Sequence, residues 1–173
     1  MEFLNSIKEL IPDYAKDIRL NIDGTIARSS LQGNDAVGVA LAAAFACKSR
    51  KIIDIIVASG ALSEEEKNAC LTASALMGMN NVWYPYVEMT EDADLKSQPA
   101  QLRMNAYATN GGIDKRRFEM FALSASIIGK CQFCIKSHFD LLKHEGMSSQ
   151  QLRDVGRIAA VVNAASQVIA ASS

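Results

Sequence analysis

The stretch Asp114-Lys-Arg-Arg-Phe118-Glu119-Met-Phe-Ala-Leu-Ser-Ala-Ser-Ile-Ile128-Gly129, continued by Lys130-Cys131-Gln-Phe-Cys134-Ile-Lys-Ser-His138, reads as two helices about a single break. Asp114 is a residue type that caps a helix start, because its carboxylate accepts a first-turn amide. Apart from the acidic Glu119, Phe118 to Ile128 is then small or apolar, and Gly129 is the expected stop. A second helix is predicted from around Cys131 to before Gly146.

The same signals recur outward from this hairpin. Ser148 with Gln151 forms a capping box for a last helix through about Ala170. Ser63 with Glu66 forms another, for a helix predicted to end near Gly78. The Ala-rich run from Asn34 to Ala46 suits a buried helix packed closely on its neighbours. Phe3, Leu4, Ile7, Leu10 and Ile11 recur at three- and four-residue steps before Pro12, and a short helix is predicted over Asp13 to Leu20. Trp83 to Pro99 holds two prolines and many polar residues, and reads as a surface loop. No stretch reads as a sheet. The predicted fold class is all-α, one compact helical domain over residues 1–173. Ala75 to Trp83 also parallels Ser126 to Cys134 at an offset of 51 positions, which suggests a duplicated helical hairpin with breaks at Gly78 and Gly129.

Eighteen basic residues against nineteen acidic give a net charge of -1, without the basic footprint of a nucleic-acid binder. The apolar run Ala36 to Cys47 is shorter than the roughly 20 residues of a membrane span. Glu2, Asn5 and Pro12 interrupt any secretory leader, and four cysteines are too few for a disulfide-stapled scaffold. A cytoplasmic protein with no membrane or nucleic-acid partner is expected.

Chemistry concentrates in Glu119, Cys131, Cys134 and His138. At about 100° per residue, Cys134 lies roughly 60° from Cys131, and His138 roughly 20° from Cys131, so all three share one helix face. Both cysteines fall in the first turn, where free amides and the positive dipole end favour thiolate. The reductant is expected to enter at Cys131, because it opens the helix. His138 is placed to exchange a thiol proton near neutral pH. Glu119 lies in an apolar run, so facing inward it needs a partner, and a hairpin about Gly129 brings it toward His138 and Cys134.

Such a C-x-x-C pair either cycles between dithiol and disulfide, binds metal or simply packs. Zinc requires further ligands, and Glu119 or a neighbouring subunit is the available source. Elsewhere, Cys47 and Cys70 are expected to be buried and inert, His144 to compensate a helix dipole, and Lys115-Arg116-Arg117 to form a solvated first turn. Met77 and Met79 are expected in the core, and Trp83 and Tyr84 at an interface.

The chain resembles the alkyl hydroperoxidase D family, within the carboxymuconolactone decarboxylase-like group. The likeness rests on Leu10 to Asn21, Ala75 to Tyr84, Leu102 to Asn105, and the signature Phe118-Glu119 … Cys131-x-x-Cys134-x-x-x-His138 with its twelve-residue step from glutamate to first cysteine. The resemblance implies an all-helical subunit of a homotrimer and a thiol-dependent peroxidase in antioxidant defence. Cys134 would be the peroxidatic cysteine and Cys131 the resolving one, with Glu119 and His138 as proton relay. It further implies a hydroperoxide substrate and a C-type peroxiredoxin of alkyl hydroperoxide reductase as partner. No cofactor is bound on this reading, and an external dithiol supplies electrons, such as the lipoyl domain of a dihydrolipoamide acyltransferase. Some members carry a second histidine where this chain has Phe133. Protein disulfide oxidoreduction, lactone decarboxylation and a metal-binding helical module are the alternatives.

Overall fold

The structure, a computed structural model, describes residues 1–172; Ser173, the last position of the expected domain, lies outside them. Its helices are α1 Phe3–Glu9, α2 Lys16–Ile22, α3 Gly33–Ala46, α4 Arg50–Ala58, α5 Glu64–Met89, α6 Ala93–Ser97, α7 Asn105–Ala108, α8 Lys115–Gly129, α9 Gln132–His144 and α10 Ser149–Ala171. No strand occurs among the described residues, and no helix there is long and apolar enough to cross a membrane.

The centre of the bundle is α3, buried from Asp35 to Ala44 and surrounded by α5, α8 and α10. Its small residues let neighbouring helices approach closely. At Gly38 a Cβ would lie 2.4 Å from the Phe121 ring of α8, so only glycine admits that ring. Burying a phenylalanine this completely contributes ~1.5–3 kcal/mol. Two buried hydroxyls tie the layers to the α3 backbone: Ser124 donates to Val39 O at 2.9 Å and Ser74 to Ala42 O at 3.2 Å.

The predicted caps form. Ser63 and Glu66, and Ser148 and Gln151, make reciprocal capping boxes, and Asp114 accepts from the Arg117 amide. The N-terminal region is less regular than its pattern suggests. A 3-10 turn at Asp13–Ala15 precedes α2, and a π turn at Asp23–Ala27 follows it. Asp154 of α10 clamps this region, taking both the amide and the hydroxyl of Ser30 at 2.8 Å.

Three expectations fail for identifiable reasons. First, α5 does not end at Gly78 but continues through Pro85 to Met89, where a loop was predicted. Tertiary contacts offset the backbone bond that Pro85 cannot make: Asn81 donates to Ala125 O, and the Tyr84 ring stacks on Phe133 at 4.3 Å. Second, the backbone therefore does not turn at Gly78 as it does after Gly129, so the suggested second hairpin is absent. Third, Arg117 is not a solvated residue. It faces inward between Asp35 at 2.6 Å and Glu66 at 2.7 Å, joining α8 to α3 and α5. Cys47 and Met79 are also only partly buried, whereas Cys70 and Met77 are sealed in the core.

The hairpin break is built differently from its prediction. Gly129 is the last helical residue, and Lys130 takes the left-handed conformation, with φ 55°. Glycine is required at 129 because a Cβ there would meet the Asn81 side chain at 2.1 Å.

Candidate active site

The break after Gly129 folds α9 back along α8 and sets Glu119 against His138. His138 Nδ1 lies 2.6 Å from Glu119 Oε2, with both residues almost fully buried. The other carboxylate oxygen, Oε1, accepts from the Tyr107 hydroxyl at 2.5 Å. Burial by itself raises the Glu119 carboxyl. The hydrogen bonds from His138 and Tyr107, with the charges of His138 and Lys115, outweigh it and hold the group below the ordinary carboxylate range. An ionised carboxylate only accepts, so Nδ1 carries a hydrogen toward it. Burial first, and then the Glu119 carboxylate, push the Tyr107 phenol upward, which keeps it a donor. The remaining imidazole nitrogen, Nε2, faces Met77 Sδ at 3.1 Å.

One turn away, Cys131 and Cys134 are joined as a disulfide with Cα atoms 5.3 Å apart. Cys131 is the N-cap of α9, and its sulfur accepts from the Cys134 amide at 3.2 Å. The pair is sealed: Cys131 is 0% exposed and Cys134 3%. Between them in sequence, Phe133 is 46% exposed and carries the Tyr84 stack. Hollows flank that ring. One of about 500 Å³ runs along Trp83, Tyr84, Val87 and Lys96, and another of about 360 Å³ along Gln132, Lys136 and Ser137.

Residues 93–173 match the family model described as the carboxymuconolactone decarboxylase family. Over nearly its whole length the chain is similar to proteins named alkyl hydroperoxide reductase AhpD. That of Rhodospirillum centenum is 40% identical over 172 residues, covering 98% of this chain and 92% of the relative. That of Hyphomonas neptunium is 41% identical, covering 98% and 95%, and that of Coxiella burnetii 39% identical, covering 95% and 96%. The chain belongs to the AhpD family.

Within this AhpD-family chain, the four residues singled out from the sequence occupy one hairpin. Glu119 and His138 touch, and Cys131 and Cys134 are bonded to each other. Both ring nitrogens of His138 are engaged by groups other than the sulfurs in this oxidised form. The expected open entry at Cys131 is not there: the residue is completely buried, and Cys134 is slightly the less buried of the two. Among the described residues no cluster of three or more His, Cys, Asp or Glu side chains is arranged to hold a metal ion.

Tyr107 is the site residue that sequence reasoning missed. It lies on the four-residue helix α7, where no periodicity announces a buried face. Met77 was read correctly as core, but its contact with the imidazole has no sequence signature. His144 is exposed in the last turn of α9, where a cation suits the dipole.

Proposed function

We propose that the chain is a thiol-dependent alkyl hydroperoxide reductase working through the Cys131–Cys134 dithiol/disulfide couple. The observation that carries this reading is the disulfide on the same short hairpin as a buried, ionised Glu119 held by His138 and Tyr107. In the reduced protein, Glu119, through His138 or water, receives the Cys134 proton. The thiolate attacks the distal peroxide oxygen, the O–O bond breaks, and the alcohol leaves with a proton. Cys134 is then a sulfenic acid. Cys131 displaces its hydroxyl as water, giving the disulfide seen here. An external dithiol, of which a lipoyl group is the proposed example, restores both thiols by exchange and leaves as its own disulfide. A C-type peroxiredoxin is the proposed protein partner in antioxidant defence.

The hollows beside Phe133, the exposed residue between the two cysteines, support an approach along that ring. Phe133 also stands where some family members have a second histidine, so the relay here runs on one imidazole. Homotrimer assembly is proposed in turn, supported by the apolar outward row Val82, Tyr86 and Met89 at the end of α5. Such a row at three- and four-residue steps favours burial against another copy.

Replacing Cys134 by Ser is expected to abolish hydroperoxide turnover while the all-helical spectrum persists. A thiol count before and after hydroperoxide, with peptide mapping, should show the loss of two thiols and a 131–134 link in the unaltered protein. Undiminished turnover by Cys134→Ser defeats the assignment. Protein disulfide exchange is a second reading, favoured by His138 Nε2 facing the Met77 thioether and not a cysteine sulfur. Faster oxidation by a protein disulfide than by hydroperoxide would establish it.

A further inference from the structure

Ser126 is completely buried, yet its hydroxyl has no hydrogen-bond partner among the described residues. A sealed hydroxyl without an acceptor is costly, and a serine in a helix ordinarily relieves that cost by bonding the carbonyl four residues back. Its position gives the orphan a meaning. Ser126 stands seven residues after Glu119 on α8, and Cys131 seven before His138 on α9. Seven residues return a helix to roughly the same face. Since Glu119 meets His138 across the antiparallel pair, the same register sets Ser126 opposite Cys131. The Cys131 amide donates to Ser126 O at 3.3 Å, a backbone bond across the turn that keeps the two residues adjacent.

We infer that Ser126 is a positioning residue whose hydroxyl turns to donate to the Cys131 sulfur, idle in the disulfide and engaged when that sulfur becomes a thiolate. This inference rests on the dithiol/disulfide reading above. Disulfide sulfurs are weak acceptors, whereas a thiolate is a strong one. The Cys134 amide already points at Cys131 Sγ, so the Ser126 hydroxyl completes a pair of donors in a site closed to water. The direction of reduction follows. A reductant thiolate attacks Cys134, the less buried of the two cysteines, and forms a mixed disulfide there. The electron pair of the broken S–S bond goes to Cys131, which departs as the thiolate between its two donors. The reductant's second thiol then attacks its own sulfur of the mixed disulfide, releasing Cys134 and leaving as a cyclic disulfide. A leaving thiol with a lowered pKa departs faster. In the peroxide half-cycle the same stabilised thiolate is the nucleophile that resolves the Cys134 sulfenic acid.

The test is Ser126→Ala in the full chain, with dithiothreitol as reductant. Three measurements are made: the position of the thiol/disulfide equilibrium, the rate of reduction, and the denaturant stability of the oxidised protein. Loss of a hydrogen bond to a charged sulfur should move the equilibrium about tenfold toward the disulfide and slow reduction by a similar factor. The oxidised protein should be as stable as before or more so, because only an unpaired hydroxyl is removed. An unchanged equilibrium and rate overturn the inference. So does a loss of oxidised-state stability equal to the loss in the reduced state, which marks a structural role. If the unaltered protein does not cycle with hydroperoxide, the proposed reaction fails separately. The dithiothreitol equilibrium of Ser126→Ala still decides the role of the serine.

Discussion

After His138, Tyr107 is the hydrogen-bond donor that keeps Glu119 ionised. The carboxylate is pushed up by burial and brought down by two donors, so removing one leaves burial less opposed. Tyr107→Phe should therefore raise the Glu119 pKa, and the acid limb of the hydroperoxide-turnover profile should move to higher pH. Turnover near the limb should fall by about tenfold, on the scale of one charged hydrogen bond. A pH–rate profile that keeps its acid limb in place removes Tyr107 from the site. The linked stability effect has a definite sign. A carboxyl lowered in the folded state adds stability above its unfolded value, and that stability is lost as pH falls through the folded value. The variant should lose part of this increment. At this scale the sequence was informative where chemistry and periodicity coincided: Glu119, Cys131, Cys134 and His138 all stand out by type and spacing. Tyr107, Met77 and Ser126 do not, because a tyrosine on a four-residue helix, a core methionine and a helical serine are each unremarkable until packing selects their neighbours.

Among the elements, the α8–α9 turn and α5 depend on each other. Asn81 donates to Ala125 O and packs on Gly129, and that contact holds α5 helical beyond Gly78 while pressing on the tight turn. Gly129→Ala would put a methyl group 2.1 Å from the Asn81 amide nitrogen. The expected cost is about 1–3 kcal/mol of unfolding free energy, typical of overpacking, read by urea denaturation. Relief by a second change, Asn81→Ala, should recover part of it. Restoration of nothing would place the cost elsewhere. This interdependence explains which boundaries were legible. Helix starts were read from caps that act within one turn, such as Ser63 with Glu66 and Ser148 with Gln151. The end of α5 was missed because it is set by contacts 44 and 49 residues away, with Ala125 and Phe133. Pro85 carries a local signal for a break that those contacts override.

Across the molecule, polar clamps join distant parts of the chain around the α3 core. Arg117 links α8 to Asp35 and Glu66, and Asp154 secures the N-terminal region 124 residues away. Burial raises the Asp154 carboxyl, but Ser30, Arg157 and Arg153 outweigh it and lower the group from 3.8 to about 2. Its contribution is complete above the ordinary aspartate range and disappears as pH falls from there through about 2. Asp154→Asn should cost about 1–2 kcal/mol at neutral pH, after allowance for the exposed arginine partners. The gap from the unaltered protein should close on acidification to that value. Thermal melts across the range check this, and a gap independent of pH would mean the charge is not the source. The all-α bundle was legible from composition and caps, while the clamps were not, since nothing local marks Arg117 as inward or pairs Asp154 with Ser30.

The hairpin that carries Glu119, His138 and both cysteines has a bearing on how the chain acquires its native state. Its defining pair is separated by only 19 residues, and the two sulfurs by three. Contacts so close along the chain lose little loop entropy on closure and tend to form fast. The redox apparatus should thus be nearly assembled in an early folding ensemble. Met77, arriving from 61 residues upstream, then completes the enclosure of the imidazole.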